Sequence, residues 1–164
     1  MCHDLIYFPI SCGKFVVINA KDSICIKKNR WTYVPSPSGY TGYAARWSTL
    51  QGKRRTIYMH RQILGVENTS RDVEVDHING DGLCNTRCNL RTATSSLNKA
   101  NKHHHNNPTG YRGVYRFRNK WKAQTKLNGK CIHLGVFDNP HDAARAFDAF
   151  ARATWNDFAQ VNFS

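Results

Sequence analysis

One segment of the chain, residues 110–154, constrains the fold most, because three β-rich runs are followed there by a helical pattern. Arg118-Asn119 joins the first two runs and Asn128-Gly129 the last two; Asn-Gly between β-rich runs is the strongest short-range signal of a hairpin. Asn139 precedes Pro140, as a helix N-cap precedes a first-turn proline, and apolar residues then recur at helical spacing. The segment therefore predicts a three-stranded antiparallel sheet packed on one helix, with strands at residues 110–117, 120–127 and 130–136.

The first hundred residues predict a β-rich lead-in that ends in helical turns. We expect a turn at 35–39, helices at 59–64 and 92–102, and strands at residues 14–20, 23–28, 31–33, 40–50 and 55–59. The polar stretch 103–108 ends in Asn-Asn-Pro and is the best linker in the chain. The predicted class is therefore α+β, with domains at residues 1–102 and 110–164 and a linker at 103–109.

The chain is strongly basic, with 24 Lys and Arg against 11 Asp and Glu and a formal charge of +13. From Lys99 to Lys130, both included, it holds nine Lys and Arg and no acidic residue, interleaved with aromatics from Tyr111 to Trp121. Such a run is typical of nucleic-acid contact, although a charge run can also be no more than a solvated face. Apolar runs stay short of the roughly 18 residues of a membrane span, and we find no signal peptide, so we expect neither a membrane protein nor a secreted one.

Six cysteines form no Cys-x-x-Cys pair, and we expect them to be reduced thiols of a cytosolic protein. Cys84 and Cys88 lie four residues apart, near His77 and the histidines at 103–105, a spacing that zinc could use. A tetrahedral zinc site usually pairs two closely spaced ligands with a second such pair. We therefore expect a plain loop here and no zinc.

The segment most suggestive of chemistry is Asp76-His77 followed by Asn79-Gly80-Asp81-Gly82, which predicts a strand that ends in a tight turn. If the chain returns as a second strand and enters a helix at 94–101, Asn98 would lie beside Asp76 and His77. Oxygen ligands suit a hard cation such as Mg²⁺, and an imidazole could take a proton from an attacking water. One carboxylate disfavours a two-metal mechanism; the alternative is a simple hydrogen-bonded Asp-His pair in a turn.

Two motifs resemble known families. Residues 76–82 with Asn85, 89–91 and Asn98, and upstream 59–64, resemble the HNH endonuclease motif. Downstream, the segments 110–115, 121–124, 134–137, 143–147 and 162–163 resemble the Apetala-type (ethylene-response-factor) DNA-binding domain. Together, over about residues 50–164, they resemble the HNH homing endonucleases of phages and related mobile elements.

The HNH resemblance implies a ββα-metal nuclease module with its core at about residues 55–102. Asp76 and Asn98 would be the ligands of one Mg²⁺ or Mn²⁺ ion, and His77 would be the general base. Asn89 would hold the loop that carries His77. The role of His60 stays open between packing, phosphate contact and catalysis.

The second resemblance implies that the sheet of the C-terminal domain binds DNA. Arg112 and Arg116 could read bases, because the Arg fork matches the two acceptors of guanine, whereas the lysines more readily contact phosphate. Trp121 has an alternative role as a packing aromatic. The matching positions are Arg112, Arg116, Arg118, Trp121, Lys122, Gln124 and Lys126.

We therefore expect a metal-dependent endonuclease that hydrolyses phosphodiester bonds of double-stranded DNA. It would act as a monomer, would not associate with a membrane, and would work in the cytoplasm of an infected or host bacterial cell. The first alternative is a catalytically silent, sequence-specific DNA-binding protein, which would not require Asp76, His77, Asn89 and Asn98 together. The second is an RNA-binding protein that uses the basic strands and aromatics.

Overall fold

The computed structural model describes residues 4–37, 41–50, 52–70, 72–101 and 107–163. The chain divides into two compact units, residues 1–94 and 95–164. Over the described residues the structure is mixed α and β, with small antiparallel sheets and four α-helices, which is compatible with the predicted α+β class. No helix within these ranges is long and apolar enough to cross a membrane.

The first unit holds three small antiparallel sheets in its described part. They are the pair β1 (Leu5–Pro9) and β2 (Phe15–Asn19), the three-stranded sheet β3 (Thr32–Pro35), β4 (Gly42–Leu50) and β5 (Lys53–Tyr58), and the pair β6 (Glu74–His77) and β7 (Leu90–Ala93). Two short helices, α1 (Ser23–Lys27) and α2 (Met59–Ile63), lie between them in sequence.

The core of this unit is formed by alternate side chains of the strands and by apolar side chains of the two short helices. Val16 and Ile18 of β2 are fully buried, whereas Phe15 is exposed, as the two-residue period of a strand requires. Ile26 of α1 and Met59 of α2 are also fully buried in the same cluster. Helices this short are not stable by themselves, so this burial is what holds them.

Most predicted elements of the lead-in are confirmed with shifts of a few residues at their ends. The predicted strands at 14–20, 31–33, 40–50 and 55–59 correspond to β2, β3, β4 and β5, and the predicted helix at 59–64 is α2. The predicted turn at 35–39 falls partly outside the described residues.

The prediction of a strand at residues 23–28 is wrong, because this segment forms α1. In a strand Ile24 and Ile26 would share one face, and both would be buried together. In the helix they point in different directions: Ile26 is fully buried and Ile24 is 72% exposed. The indole Nε1 of Trp31 donates to the carbonyl of Ile26 at 2.9 Å, so a residue beyond the segment satisfies a carbonyl at the end of the helix.

The second unit begins with α3 (Ser95–Asn101) and contains one antiparallel sheet and one long helix. The sheet has the order β10-β9-β8, and its elements are β8 (Val114–Phe117), β9 (Lys120–Leu127), β10 (Lys130–Phe137) and α4 (Pro140–Trp155). Ala143 and Ala144 of α4 pack against Val114 and Ala123 of the sheet, and all four are fully buried. The small side chains let the helix lie close to a narrow sheet.

The three predicted strands and the helix of this unit are confirmed, including the N-cap: Oδ1 of Asn139 accepts from the backbone N–H of Asp142 at 2.8 Å. The first strand begins at Val114 and not at residue 110. Gly110 and Gly113 have φ values of +73° and +74°, which interrupt an extended strand.

The predicted domain limits stay a prediction. The predicted helix at 92–102 starts later, because residues 92 and 93 complete β7 and α3 begins at Ser95. In the structure α3 groups with the second unit, whereas residues 102–106 of the predicted linker lie outside the described part.

Within the described part of the chain, the expectation that all cysteines are reduced is wrong at Cys88. Cys12, Cys25, Cys84 and Cys131 are free thiols, but Cys88 is disulfide-bonded. A disulfide needs two sulfur atoms brought together with specific geometry, which the spacing of cysteines along a sequence does not reveal.

Gly113 makes a close approach that can be tested. A Cβ built there would lie 2.1 Å from Cδ2 of Phe147, and the backbone φ is +74°. We expect Gly113→Ala to destabilise the second unit by about 2–5 kcal/mol, the sum of the left-handed strain and the overpacking of the core. Chemical denaturation followed by circular dichroism measures the change.

The matched control is Gly110→Ala, which has nearly the same φ, +73°, but nothing within 4 Å of the added Cβ. It should cost only the conformational strain of about 1–2 kcal/mol. Equal losses in the two variants would contradict the contact between residue 113 and the Phe147 ring.

Candidate functional site

His77 is the last residue of β6 and is followed by a tight turn. The backbone N–H of Gly80 donates to the carbonyl of His77 at 2.9 Å, and Gly80 has a φ of +75°. The N–H of Ile78 donates to the carbonyl of Asn89 at 2.9 Å, which extends the pairing beyond the two strands. The predicted strand, turn and return strand are therefore present, and the loop between them spans residues 78–89.

The side chain of Asn89 makes hydrogen bonds to two separate parts of this loop. Its Oδ1 accepts from the backbone N–H of Asn79 at 3.0 Å, and its Nδ2 donates to Oδ1 of Asn79 at 2.9 Å and to the carbonyl of Cys84 at 2.8 Å. These bonds satisfy loop groups that have no partner in the β-ladder. Asn89 is itself buried, so the bonds are shielded from water.

Strand β2 braces the same loop from outside. Backbone hydrogen bonds join Val17 to Leu83 at 3.0 Å and Asn85 to Val17 at 2.7 Å. Arg87 forms an ion pair with the buried Asp22 at 2.8 Å, and its backbone N–H donates to Oδ1 of Asn19 at 2.8 Å. The lead-in thus supports the loop that follows His77.

Asn85, which is fully buried, contacts the ring of His77. Oδ1 of Asn85 lies 3.4 Å from Nε2 of His77, while Nδ2 of Asn85 donates to the carbonyl of Gly82 at 3.4 Å. Because an amide oxygen can only accept, Nε2 of His77 must be the protonated nitrogen in this pair. In the neutral ring the lone pair is then on Nδ1.

Among the described residues, three aromatic rings lie around the imidazole of His60, and one of them is that of His77. The His60 and His77 rings meet edge to face, with centroids 5.0 Å apart and an interplanar angle of 87°. Tyr58 stacks on His60 at 5.5 Å, and Tyr43 contacts both imidazoles, at 5.5 Å from His60 and 5.9 Å from His77. His60 therefore packs behind His77, and its buried Nδ1 has no hydrogen-bond partner among the described residues.

Burial keeps this cluster uncharged. It lowers the pKa of His77 below its usual value, against the opposite effects of the Asn85 hydrogen bond and the charge of Asp76. Burial also lowers the pKa of His60, to about 3, and the neighbouring His77 acts in the same direction. Burial raises the pKa of Tyr43, so that it keeps its phenolic proton. Around neutral pH both imidazoles are neutral, the state in which a histidine can accept a proton.

Asp76 is only 5% exposed and pairs with the residue opposite it on β7. Nε of Arg91 donates to Oδ2 of Asp76 at 2.9 Å, and Nη2 of Arg91 lies 2.8 Å from the same oxygen. The pair fixes the orientation of the carboxylate. Among the described residues no three His, Cys, Asp or Glu side chains form a metal-binding group.

The remaining predicted metal ligand, Asn98, lies on α3 in the second unit, whereas Asp76 and His77 lie in the first. The structure therefore brings together His77, Asp76 and Asn89 within one unit. The role of Asn98 as a partner of Asp76 stays a prediction.

The sheet of the second unit has one face covered by α4 and one open face. Strand register places Tyr115 opposite Lys122 and His133 opposite Gln124, on the face that does not carry the buried Val114 and Ala123. Tyr115 and Phe117 are 45% and 43% exposed there. This open face carries Tyr115, Phe117, Lys120, Lys122, Gln124, Lys126, Cys131, His133 and Val136.

The predicted DNA-contacting residues fall into different places. Lys122, Gln124 and Lys126 lie on the open face, and Arg118 lies in the β8–β9 turn. The other three, Arg112, Arg116 and Trp121, lie off this face.

Arg116 and Trp121 are register partners on the face that carries Val114, with the guanidinium 5.7 Å from the centroid of the indole. Arg112 precedes β8 and is half-buried: its Nη2 donates to the carbonyl of Lys99 at 3.3 Å and its Cζ lies 5.7 Å from the centroid of Phe147. Arg112 thus has packing partners inside the unit.

Comparison with known proteins gives similarity to proteins of two kinds. An uncharacterized HNH endonuclease of Acanthamoeba polyphaga mimivirus is 29% identical over 164 residues, which cover 96% of this chain and 81% of that protein. An ethylene-responsive transcription factor-like protein of Arabidopsis thaliana is 44% identical over 48 residues, 29% of this chain and 21% of the plant protein. No family model matches the chain. The chain is thus similar to a protein named as a nuclease and, over a short stretch, to a transcription factor-like protein of which it spans about a fifth.

Sequence reasoning missed several residues of both sites. Asn85 was seen only as part of a motif, and nothing local indicates that its amide reaches the His77 ring. Tyr43 and Tyr58 carried no signal, because their contacts with the histidines depend on how β4 and β5 pack. The sequence does mark Tyr115 and Phe117 as aromatics within the basic run, and strand alternation would also have assigned them to the open face.

The low pKa of His60 has a consequence for stability. The unfolded chain takes up this proton near pH 6.5 and native His60 only near pH 3, so the first unit should lose stability as the pH falls through that window. The slope from this residue is at most about 1.4 kcal/mol per pH unit. His60→Phe keeps an aromatic ring without the titration and should flatten the profile measured by urea unfolding between pH 7 and pH 4. An unchanged slope would contradict the buried, neutral state of His60.

Proposed function

We propose that this protein is a metal-dependent DNA endonuclease of the HNH type, whose ββα-metal module would have its core at about residues 55–102. The observation that carries the proposal is the position of His77: a neutral imidazole at the end of β6, directly before the loop that Asn89 holds, with its Nε2 3.4 Å from Oδ1 of Asn85. The similarity to the mimivirus protein supports the same assignment. The substrate would be the phosphodiester backbone of double-stranded DNA.

The donor chemistry fits one Mg²⁺ or Mn²⁺ ion. Asp76 offers a carboxylate oriented by Arg91, and Asn98 offers an amide oxygen; these are the hard oxygen ligands that such ions prefer. Most of the remaining coordination would come from water and substrate phosphate, as is usual for Mg²⁺. When bound, the ion would supply charge stabilisation at the scissile phosphate and at the departing 3′ oxygen.

Three residues of the chain would have separate roles in the hydrolysis. His77 would accept the proton of the attacking water at Nδ1, because the Asn85 bond keeps the hydrogen on Nε2. Asn89 would hold the loop that follows His77 and so keep the imidazole in a fixed position. Arg91 would orient the carboxylate of Asp76. With a single such site, a monomer would nick one strand at a time.

The second unit would supply DNA binding through the open face of its sheet. Lys122 and Lys126 would contact phosphates, and Gln124 could reach a base edge between them. Arg118 and the Arg116–Trp121 pair would add contacts at the end of the sheet near the β8–β9 turn. Arg112 would contribute least to DNA binding among the predicted residues, because its guanidinium has packing partners inside the unit.

The second candidate function is a catalytically silent DNA-binding protein. The short similarity to the Arabidopsis transcription factor-like protein favours it, because that match involves a protein named for transcription and not for cleavage. Action as a monomer in the cytoplasm of an infected or host bacterial cell is proposed with either function.

Cleavage of supercoiled plasmid tests the first proposal. With Mg²⁺ or Mn²⁺ we expect nicked circles, and with EDTA none. His77→Ala should lower the rate by about 10²- to 10⁴-fold, as expected for loss of a general base. His141→Ala, an exposed histidine of the second unit, should cleave like the wild type. Plasmid that stays intact with every metal but shifts on a gel would favour the silent DNA-binding protein.

DNA binding by the open face is tested with Lys122→Gln and Lys126→Gln, measured on duplex DNA in EDTA at several salt concentrations. Each should reduce the slope of log affinity against log salt by about one, because one phosphate contact is lost. Arg145→Gln removes an exposed charge from α4, away from the open face, and is the matched control. Equal slopes in all three variants would contradict a role of this face.

A further inference from the structure

A second strongly basic region lies in the first unit, outside the sheet just discussed. From Ser23 to Val66 the sequence contains eight Lys and Arg and no Asp or Glu. Part of this segment forms β4 and β5, whose hairpin end carries the exposed side chains of Lys53 and Arg54. A segment that carries charge of one sign favours contact with a polyanion.

One face of the β4–β5 hairpin combines this charge with an exposed aromatic ring. Register pairs Trp47 with Thr56 and Thr49 with Arg54, which places all four side chains on the same face. Trp47 is 58% exposed, and Cζ of Arg54 lies 4.3 Å from the centroid of its ring. The guanidinium therefore rests on the indole, which orients it while both groups stay accessible to solvent.

The same face leads directly to the candidate catalytic histidine. Tyr43 and Ala45 precede Trp47 with the two-residue period of β4, and Ala45 is paired with Tyr58. Tyr43 contacts the ring of His77, with centroids 5.9 Å apart. Along the strand, Trp47 lies about 14 Å beyond Tyr43, since a strand rises roughly 3.4 Å per residue.

We propose that this face, defined by Trp47, Thr49, Arg54 and Thr56, is a second DNA-contact surface that holds the duplex beside the cleaved bond. Arg54 binds a backbone phosphate, and the Trp47 indole packs against the neighbouring deoxyribose. The distance along β4 corresponds to about four base pairs, because successive base pairs are roughly 3.4 Å apart. The occupant is duplex DNA, whose backbone phosphates are complementary to the positive charges of Lys53 and Arg54. The assignment rests on the proposed nuclease, but binding to the face does not require cleavage.

The binding test uses the full chain, EDTA, and a 40-base-pair duplex at several salt concentrations. The double variant Trp47→Leu, Arg54→Gln should bind about tenfold more weakly than the wild type, with a salt slope lower by about one. The matched controls in the same unit are Lys21→Gln for the charge, outside the basic segment at residues 23–66, and Tyr7→Leu for an exposed aromatic; both should bind like the wild type. All substituted side chains are exposed, and equal melting temperatures establish that the variants fold.

The proposal would be overturned if the double variant had the same affinity and the same salt slope as the controls. It would also be overturned if the protein bound single-stranded RNA of the same length more tightly than the duplex.

A second experiment locates the contact along the duplex. Once the position of the nick is known, the duplex is shortened on one side of the nick, and the affinity of the wild type should fall when fewer than about four base pairs remain on that side. The double variant should be insensitive to that truncation, and equal sensitivity would overturn the position of the contact. If plasmid is never cut, the nuclease proposal fails, while the salt-slope measurement still decides whether this face binds DNA.

Discussion

The side-chain amide of Asn89 is the interaction on which the candidate active site depends. The loop at residues 78–89 is irregular, so its backbone groups find no partners in a β-ladder and must be satisfied in another way. Asn89 satisfies an N–H at Asn79 and a carbonyl at Cys84 at once. Strand β2 and the Asp22–Arg87 ion pair complete the support from outside. Much of the lead-in thus serves to fix one loop, and through it the position of His77.

Burial of the histidines has both a chemical and an energetic effect. With water excluded, His60 and His77 stay neutral, and an uncharged His77 is ready to accept a proton. The same burial leaves Nδ1 of His60 without a hydrogen bond among the described residues, which costs stability. The packing of β2, α1 and α2 offsets this local loss of stability. Functional sites commonly contain locally unfavourable groups that the surrounding structure stabilises.

The two units carry surfaces of the same kind, built in different ways. In the second unit α4 covers one face of a sheet, so strand alternation leaves lysines and aromatics on the other. In the first unit the hairpin end extends beyond the core, so Trp47 and Arg54 are exposed by position. Under the two proposals above, binding of DNA to one surface would raise the effective concentration of the other.

The sequence by itself determined the elements that depend on neighbours along the chain. The Asn-Gly hairpin, the Asn139 cap, the alanine face of α4 and the turn after His77 all follow from local backbone preference and periodicity. Tertiary structure alone decided α1, because burial of Ile26 and the hydrogen bond from Trp31 override the β-propensity of the segment. It also decided that Asn85, Tyr43 and His60 surround His77, since these contacts join residues that only folding brings together.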